Sequence, residues 1–197
     1  MSHRVNTVSR RVILGAAAAA LGLPAQAFAQ RRLKPTPSCD DGDDPTPPQT
    51  AGPFFKPRSP QRTSLIEPGM AGTRLVLSGT VTTRSCRPVP RVLIDLWQAN
   101  ARGIYDNAGY RLRGHQFTDA DGRFRFETIV PGSYDGRTRH LHLRAQAANR
   151  RILTTQLYFP GEPLNRRDGL FNPALLMQTR NAGEQIEATY NIVLAMR

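Results

Sequence analysis

The sequence predicts an all-β protein, a β-sandwich with long loops and little helix. Two features lead there. Segments rich in Val, Ile, Leu, Phe and Thr recur at 74–82, 91–98, 123–128, 140–146, 153–159 and 187–195, with Gly, Pro, Asp and Asn between them. That is the pattern of short strands joined by turns, and at this spacing it points to two packed sheets. The second feature is the near absence of helical periodicity: only 173–179 reads as helical, and it is short. With 197 residues the chain is long enough to bury a core of its own.

The first strand shows the period-two logic most openly. Leu75, Leu77 and Gly79 alternate with Val76, Ser78 and Thr80, so one face is apolar and the other mixed. Further on, Phe124 and Phe126 alternate with Arg123 and Arg125 in the same way. From Gln49 to the end the chain reads as one domain, 49–197, without internal repeats. Residues 30–48, rich in Pro, Asp and Thr, read as an extended lead-in.

The first 29 residues read as an address. Ser9-Arg10-Arg11-Val12-Ile13-Leu14 is a twin-arginine sequence, followed by an Ala-rich apolar run to Gly22. Ala27-Phe28-Ala29 supplies small residues where a signal peptidase cuts, placing cleavage before Gln30. The apolar run falls short of the ~20 residues needed to span a bilayer. The segment resembles a Tat signal and implies a bacterial protein exported to the periplasm or beyond. In such a compartment Cys39 and Cys86 can form a disulfide, although their separation in space is not given by the sequence.

Charge excludes less than it suggests. The formal balance is +12, and +9 without Arg4, Arg10 and Arg11. The remaining arginines are scattered, with no basic helix and no aromatic-basic RNA signature, so no nucleic-acid partner is expected. A positive field suits anionic aromatic acids, which it would steer toward a site.

The chemistry sits in few residues. Beyond the signal only His115, His140 and His142 remain as histidines. In a strand, His140 and His142 project from one face while Leu141 faces the other way, so both imidazoles reach one metal without distorting the backbone. The same pair also reads as two surface histidines. Asp135 lies close enough in sequence to complete a two-histidine, one-carboxylate site for ferrous iron. Its neighbour Tyr134 stands six residues before His140; it reads as an ordinary half-buried side chain unless a hard trivalent cation favours its phenolate.

Ordered pieces of the chain then combine. They are Gln49-Thr50-Ala51-Gly52-Pro53-Phe54-Phe55, Leu96-Trp97-Gln98-Ala99-Asn100, Gly103-Ile104-Tyr105, Thr118-Asp119-Ala120-Asp121-Gly122, Pro131-Gly132-Ser133-Tyr134, His140-Leu141-His142 and Gln156-Leu157-Tyr158-Phe159. In that order the chain resembles the intradiol ring-cleavage dioxygenases, especially the protocatechuate 3,4-dioxygenases and their smaller relatives. The resemblance implies a prealbumin-like sandwich core and a non-haem Fe(III) held by Tyr105, Tyr134, His140 and His142. It implies an enzyme that opens a catechol-type ring between its two hydroxylated carbons with O2, giving a muconate-type diacid. In that scheme Tyr105 stays bound, whereas Tyr134 leaves and serves as a base. Arg137 stabilises charge on the ring, and Gln156, Gly52 and Pro53 line the substrate pocket, the last two in this chain's site or a neighbour's.

Departures from the family's pattern concern the pocket. The 135–139 loop is short, the segment between Tyr105 and Thr118 is compact, and no long helical region precedes the domain. The catechol is therefore not specified, and a homo-oligomer is compatible with the resemblance. His115 and Tyr110 lie near Tyr105, and a shift of register exchanges Tyr110 with Tyr105. A different class also shares Val92-x-Ile94-x-Leu96 and the 118–126 turn-and-strand: non-catalytic prealbumin-like binding modules, in which Tyr134 is core. Such modules have no use for Tyr105 together with His140 and His142.

Overall fold

A computed structural model describes residues 44–196; the predicted signal, most of the 30–48 lead-in and Cys39 lie outside the described residues. Nine strands follow in order: β1 (Arg74–Thr83), β2 (Leu93–Trp97), β3 (Arg113–Phe117), β4 (Arg123–Ile129), β5 (His140–Gln146), β6 (Leu153–Tyr158), β7 (Gln178–Ala182), β8 (Gln185–Thr189) and β9 (Ile192–Leu194). The only helical pieces among the described residues are two 3-10 turns, Pro163–Arg166 and Pro173–Leu175. The all-β expectation holds.

One sheet runs β4-β1-β8-β7, with β9 also pairing β1, and the other runs β3-β2-β5-β6. β1 is the long central strand of the first. Its burial alternates residue by residue, as its sequence does, putting Leu75, Leu77 and Val81 into the core. Facing them from the second sheet are Ile94, Leu96, Leu141, Leu143 and Leu157, with Phe124, Phe126 and Ile129 closing the same cluster. Each such fully buried side chain contributes roughly 1.5–3 kcal/mol by leaving water.

Two expectations are corrected. The segment 173–179 is a single 3-10 turn, Pro173–Leu175, after which β7 begins at Gln178. Pro173 suits the first turn of a helix, but one capped turn has no packed stripe to extend it. The predicted strand 187–195 is two strands, β8 and β9, each parallel to β1 and separated at Tyr190-Asn191. There Tyr190 N–H donates to Ser78 O, and Thr80 N–H donates to the Asn191 side chain. The Tyr190 carbonyl comes so close to β1 that a Cβ on Gly79 would stand 1.9 Å from it, so only glycine fits. Strand β3, Arg-Gly-His-Gln-Phe, was not predicted, because it lacks the β-branched residues that mark strands.

Residues 49–60 run across the outer face of the second sheet, from β6 to β3. Gln49 N–H donates to Thr154 O on β6, and His115 N–H on β3 donates to Pro60 O. Cys86, in the turn after β1, is disulfide-bonded.

Candidate metal and substrate site

The outer face of the second sheet, turned away from the main core, carries polar and aromatic residues in register. Antiparallel pairing places Arg113 beside Trp97, Trp97 beside His142, and His142 beside Gln156, in one rung across four strands. The flanking rungs hold His140 beside Tyr158 and, on the other side, His115, Asp95, Arg144 and Thr154. Leu141 lies on the opposite face, in the core. The period of two read from His140-Leu141-His142 thus puts both imidazoles under the crossing segment, where each is buried.

Two turns deliver the phenols. After β2 the Asn100 side chain accepts from the N–H groups of Arg102 and Ile104, and next to Tyr105 the Asp106 carboxylate accepts from Ala108, Gly109 and Arg111. Tyr105 is thus held between two side-chain-capped loops and is buried. Its Oη stands 3.5 Å from His140 Nε2, and His140 Nε2 stands 3.2 Å from His142 Nε2. Tyr134 sits at a tight turn closed by Arg137 N–H to Tyr134 O at 2.7 Å. Its ring centre is 5.4 Å from that of Tyr105 and 5.9 Å from that of His140.

The two imidazoles are oriented by different means. His140 Nδ1 is 2.7 Å from Thr138 O, so that nitrogen carries the proton and Nε2 presents a lone pair to the site. His142 lies parallel to Trp97, and its Nδ1 has no hydrogen-bond partner among the described residues. Burial pushes His140 down to about 4 and His142 well below its ordinary value, so both are neutral at pH 7. Burial pushes Tyr105 up, with Tyr134 adding to it. Two neutral imidazole nitrogens and the Tyr105 phenol oxygen therefore converge in a buried space with the Tyr134 ring beside them, a donor set that suits a hard, highly charged cation. A carboxylate does not join them: Asp135 is exposed, and no group of three His, Cys, Asp or Glu side chains that could hold a metal occurs among the described residues.

The predicted pocket residues lie around these donors. Gly52 has φ +64, and a Cβ there would meet His142 Cε1 at 3.3 Å, so this segment packs on the histidine of its own chain. Pro53 is exposed; the ring in contact belongs to Phe54, stacked on Tyr105 at 4.4 Å and edge-on to Tyr134 at 5.8 Å. Gln156 is fully buried and uses both ends, accepting from Arg137 Nη2 at 2.7 Å and donating to Thr50 O at 3.0 Å. Tyr110 points elsewhere, donating to Pro57 O, and His115 contacts Ser59 Oγ.

Some residues that build the site had no local signal. Arg113, almost fully buried, donates to Phe54 O at 2.6 Å and to Asp106 O, joining the segment that carries Phe54 to the loop that carries Tyr105. Asp168 binds Arg137 through both carboxylate oxygens. The alternation of β2, β5 and β6 could have revealed Trp97 and Tyr158 as partners of the histidines, since cross-strand register follows from pairing; Asp168 could not have been found that way.

Two sheets enclosing an apolar core, with His and Tyr donors gathered on an outer face, define a β-sandwich of the dioxygenase type. A family model described as Dioxygenase matches residues 50–196, and the chain belongs to the intradiol ring-cleavage dioxygenase family. It is 37% identical over 119 residues to the protocatechuate 3,4-dioxygenase beta chain of Burkholderia cepacia, covering 51% of this chain and 50% of that protein. It is 33% identical over 154 residues to hydroxyquinol 1,2-dioxygenase of Rhodococcus opacus, covering 66% and 51%. The chain spans about half the length of these curated relatives. Among solved structures, it is similar to the dioxygenase domain of a dioxygenase carbohydrate-binding protein fusion from the cellulolytic bacterium Streptomyces sp. SirexAA-E. That match has a TM-score of 0.77 and 56% identity, covering 78% of this chain and 100% of that one. 3-Chlorocatechol 1,2-dioxygenase of Rhodococcus opacus 1CP matches with a TM-score of 0.73 at 28% identity, covering 78% and 74%.

Proposed function

We propose that the protein is a non-haem ferric dioxygenase that opens a catechol-type ring between its two hydroxylated carbons with O2, yielding a muconate-type diacid. The observation that carries this reading is the convergence of Tyr105 Oη, His140 Nε2 and His142 Nε2 within 3.5 Å steps, with Tyr134 beside them, in a chain of this family. Tyr105, Tyr134, His140 and His142 would hold Fe(III). When bound, the ion supplies Lewis acidity and an electron-accepting centre that activates a catecholate toward O2.

The chain's own residues do the rest. Thr138 O fixes the His140 tautomer, and Trp97 fixes the plane of His142. Tyr134, half-buried at its turn, would in its phenolate form accept a catechol proton. Arg137 offers a fixed positive charge to an anion developing on the ring; its Nε and Nη2 are spent on Asp168 and Gln156, and Nη1 takes part in neither bond. Phe54 and Phe55 pack with Trp97 and Tyr105 and keep water from the donors.

We further propose export by the Tat route, on the strength of the twin-arginine segment and cleavage site alone. No helix among the described residues is long and apolar enough to cross a membrane. The test is oxygen uptake by the iron-loaded protein against a panel of catechol, protocatechuate, hydroxyquinol and lignin-type catechols, with product identification. Muconate-type diacids support the proposal; no uptake, or cleavage beside the hydroxyls, overturns it.

A further inference from the structure

We propose that Asp168 is a positioning residue for the site, its one buried carboxylate fixing both the Arg137 guanidinium and, through Thr138, the imidazole of His140. The inference rests on the dioxygenase reading above, whose residues it serves.

Asp168 lies in the loop after β6, and its side chain is 1% exposed. A carboxylate so far removed from water has to be met by donors. Oδ1 accepts from Leu170 N–H at 2.9 Å and Arg137 Nε at 3.0 Å; Oδ2 accepts from Arg137 Nε at 2.9 Å and Thr138 N–H at 3.0 Å. Burial pushes this carboxyl up, but those donors outweigh it and hold it below its ordinary value.

Two consequences reach the site. The guanidinium is anchored at Nε by Asp168 and at Nη2 by Gln156, which fixes its plane. Thr138 is gripped at its N–H by Asp168 and at its hydroxyl by Asn165, so its carbonyl is fixed where it meets His140 Nδ1 at 2.7 Å. Asn165 in turn donates to Phe159 O, which ties the loop to the end of β6. The same loop supplies Leu170 O to Tyr158 Oη, on the His140 rung. One residue thus orients a general electrostatic group and a metal ligand together. A mere loop staple needs neither contact.

The test compares wild type, Asp168→Asn and Arg137→Gln in two measurements. The first is 15N NMR of the His140 ring in the metal-free protein; the second is steady-state turnover, by the iron-loaded protein, of whichever catechol of that panel it opens fastest. In wild type the His140 Nδ1–H exchanges slowly. In Asp168→Asn it exchanges at least tenfold faster, and kcat falls about 10–100-fold, the usual cost of losing a group that orients a metal ligand, with KM little changed. Arg137→Gln keeps the Asp168–Thr138 bond, so it retains the slow exchange and loses kcat alone. Wild-type exchange and kcat in folded Asp168→Asn overturn the proposal. If that variant does not fold, Asp168→Glu, which keeps the charge and displaces the carboxylate, is read in the same way, and wild-type values there overturn it too. If iron-loaded wild type opens no ring, the dioxygenase reading fails, while the metal-free NMR arm still decides whether Asp168 holds His140.

Discussion

Trp97 and His142 lie face to face, their ring centres 4.9 Å apart and their planes 6° from parallel. They are direct neighbours across β2 and β5. With no hydrogen bond at His142 Nδ1 among the described residues, this stack and Gly52 are what set the ring's orientation. His140, by contrast, is set by a carbonyl. The two imidazoles should therefore respond to different mutations.

Trp97→Leu removes the stack while keeping an apolar residue. It is expected to lower stability by about 3 kcal/mol, from lost volume and the aromatic pair. It should weaken iron binding about tenfold or more by freeing His142, while His140 Nδ1–H exchange stays as in wild type. Denaturant titration, iron titration and ring NMR check the three parts.

Tyr105→Phe and Tyr134→Phe each remove one phenolic donor without changing ring packing. The iron-loaded protein is expected to be coloured by phenolate-to-ferric charge transfer, and each variant should shift or weaken that visible band. Activity should fall by at least about 100-fold in Tyr105→Phe, beyond the cost of an outer partner. A colourless, zinc-containing wild-type protein would sink the assignment of ferric iron.

Acid should destabilise the metal-free protein through His140. Burial holds this group at about 4, below its ordinary value of 6.5. Between those values the unfolded chain binds the proton and the folded one does not, so stability rises with pH there. The contribution is complete above about 6.5 and is lost as pH falls toward 4, amounting to roughly 3 kcal/mol. His140→Gln should reduce the pH dependence of Tm in that window without abolishing it, because His142 is also held well below its ordinary value.

Gly52→Ala places a Cβ at φ +64 and 3.3 Å from His142 Cε1. Left-handed strain alone is expected to cost about 1 kcal/mol or more, and the contact should push the segment off the histidine. Thermal melting gives the first effect and iron affinity the second.

Arg113→Met leaves the carbonyls of Phe54 and Asp106 without their buried donor. An unsatisfied buried carbonyl costs roughly 1–3 kcal/mol. Loss of stability should come with faster proteolysis within 49–60, the segment that Arg113 ties down.

How much of this was legible can be judged residue by residue. Leu75, Leu77, Phe124 and Phe126 announce their strands because one face of a sheet is buried, and burial selects side chains at a period of two. His140 and His142 announce a shared face for the same reason. The strand of Arg113 was not legible: its face carries buried polar groups satisfied from other segments, and nothing in Arg-Gly-His-Gln-Phe signals extension. The division of β8 from β9 was equally hidden, since it depends on Tyr190 meeting Gly79 on a different strand.

By itself the sequence determined an all-β sandwich and the family, and it singled out Tyr105, Tyr134, His140 and His142 as the four side chains proposed to bind a metal. These follow from local periodicity and from motifs whose order survives in the chain. Only the tertiary structure decided that Phe54 rather than Pro53 touches the phenols, that Asp135 stays in solvent, and that Asp168 grips Arg137 and Thr138. Those contacts join segments tens of residues apart, and the short-range pattern of a chain carries no record of which distant donor a buried carboxylate will meet.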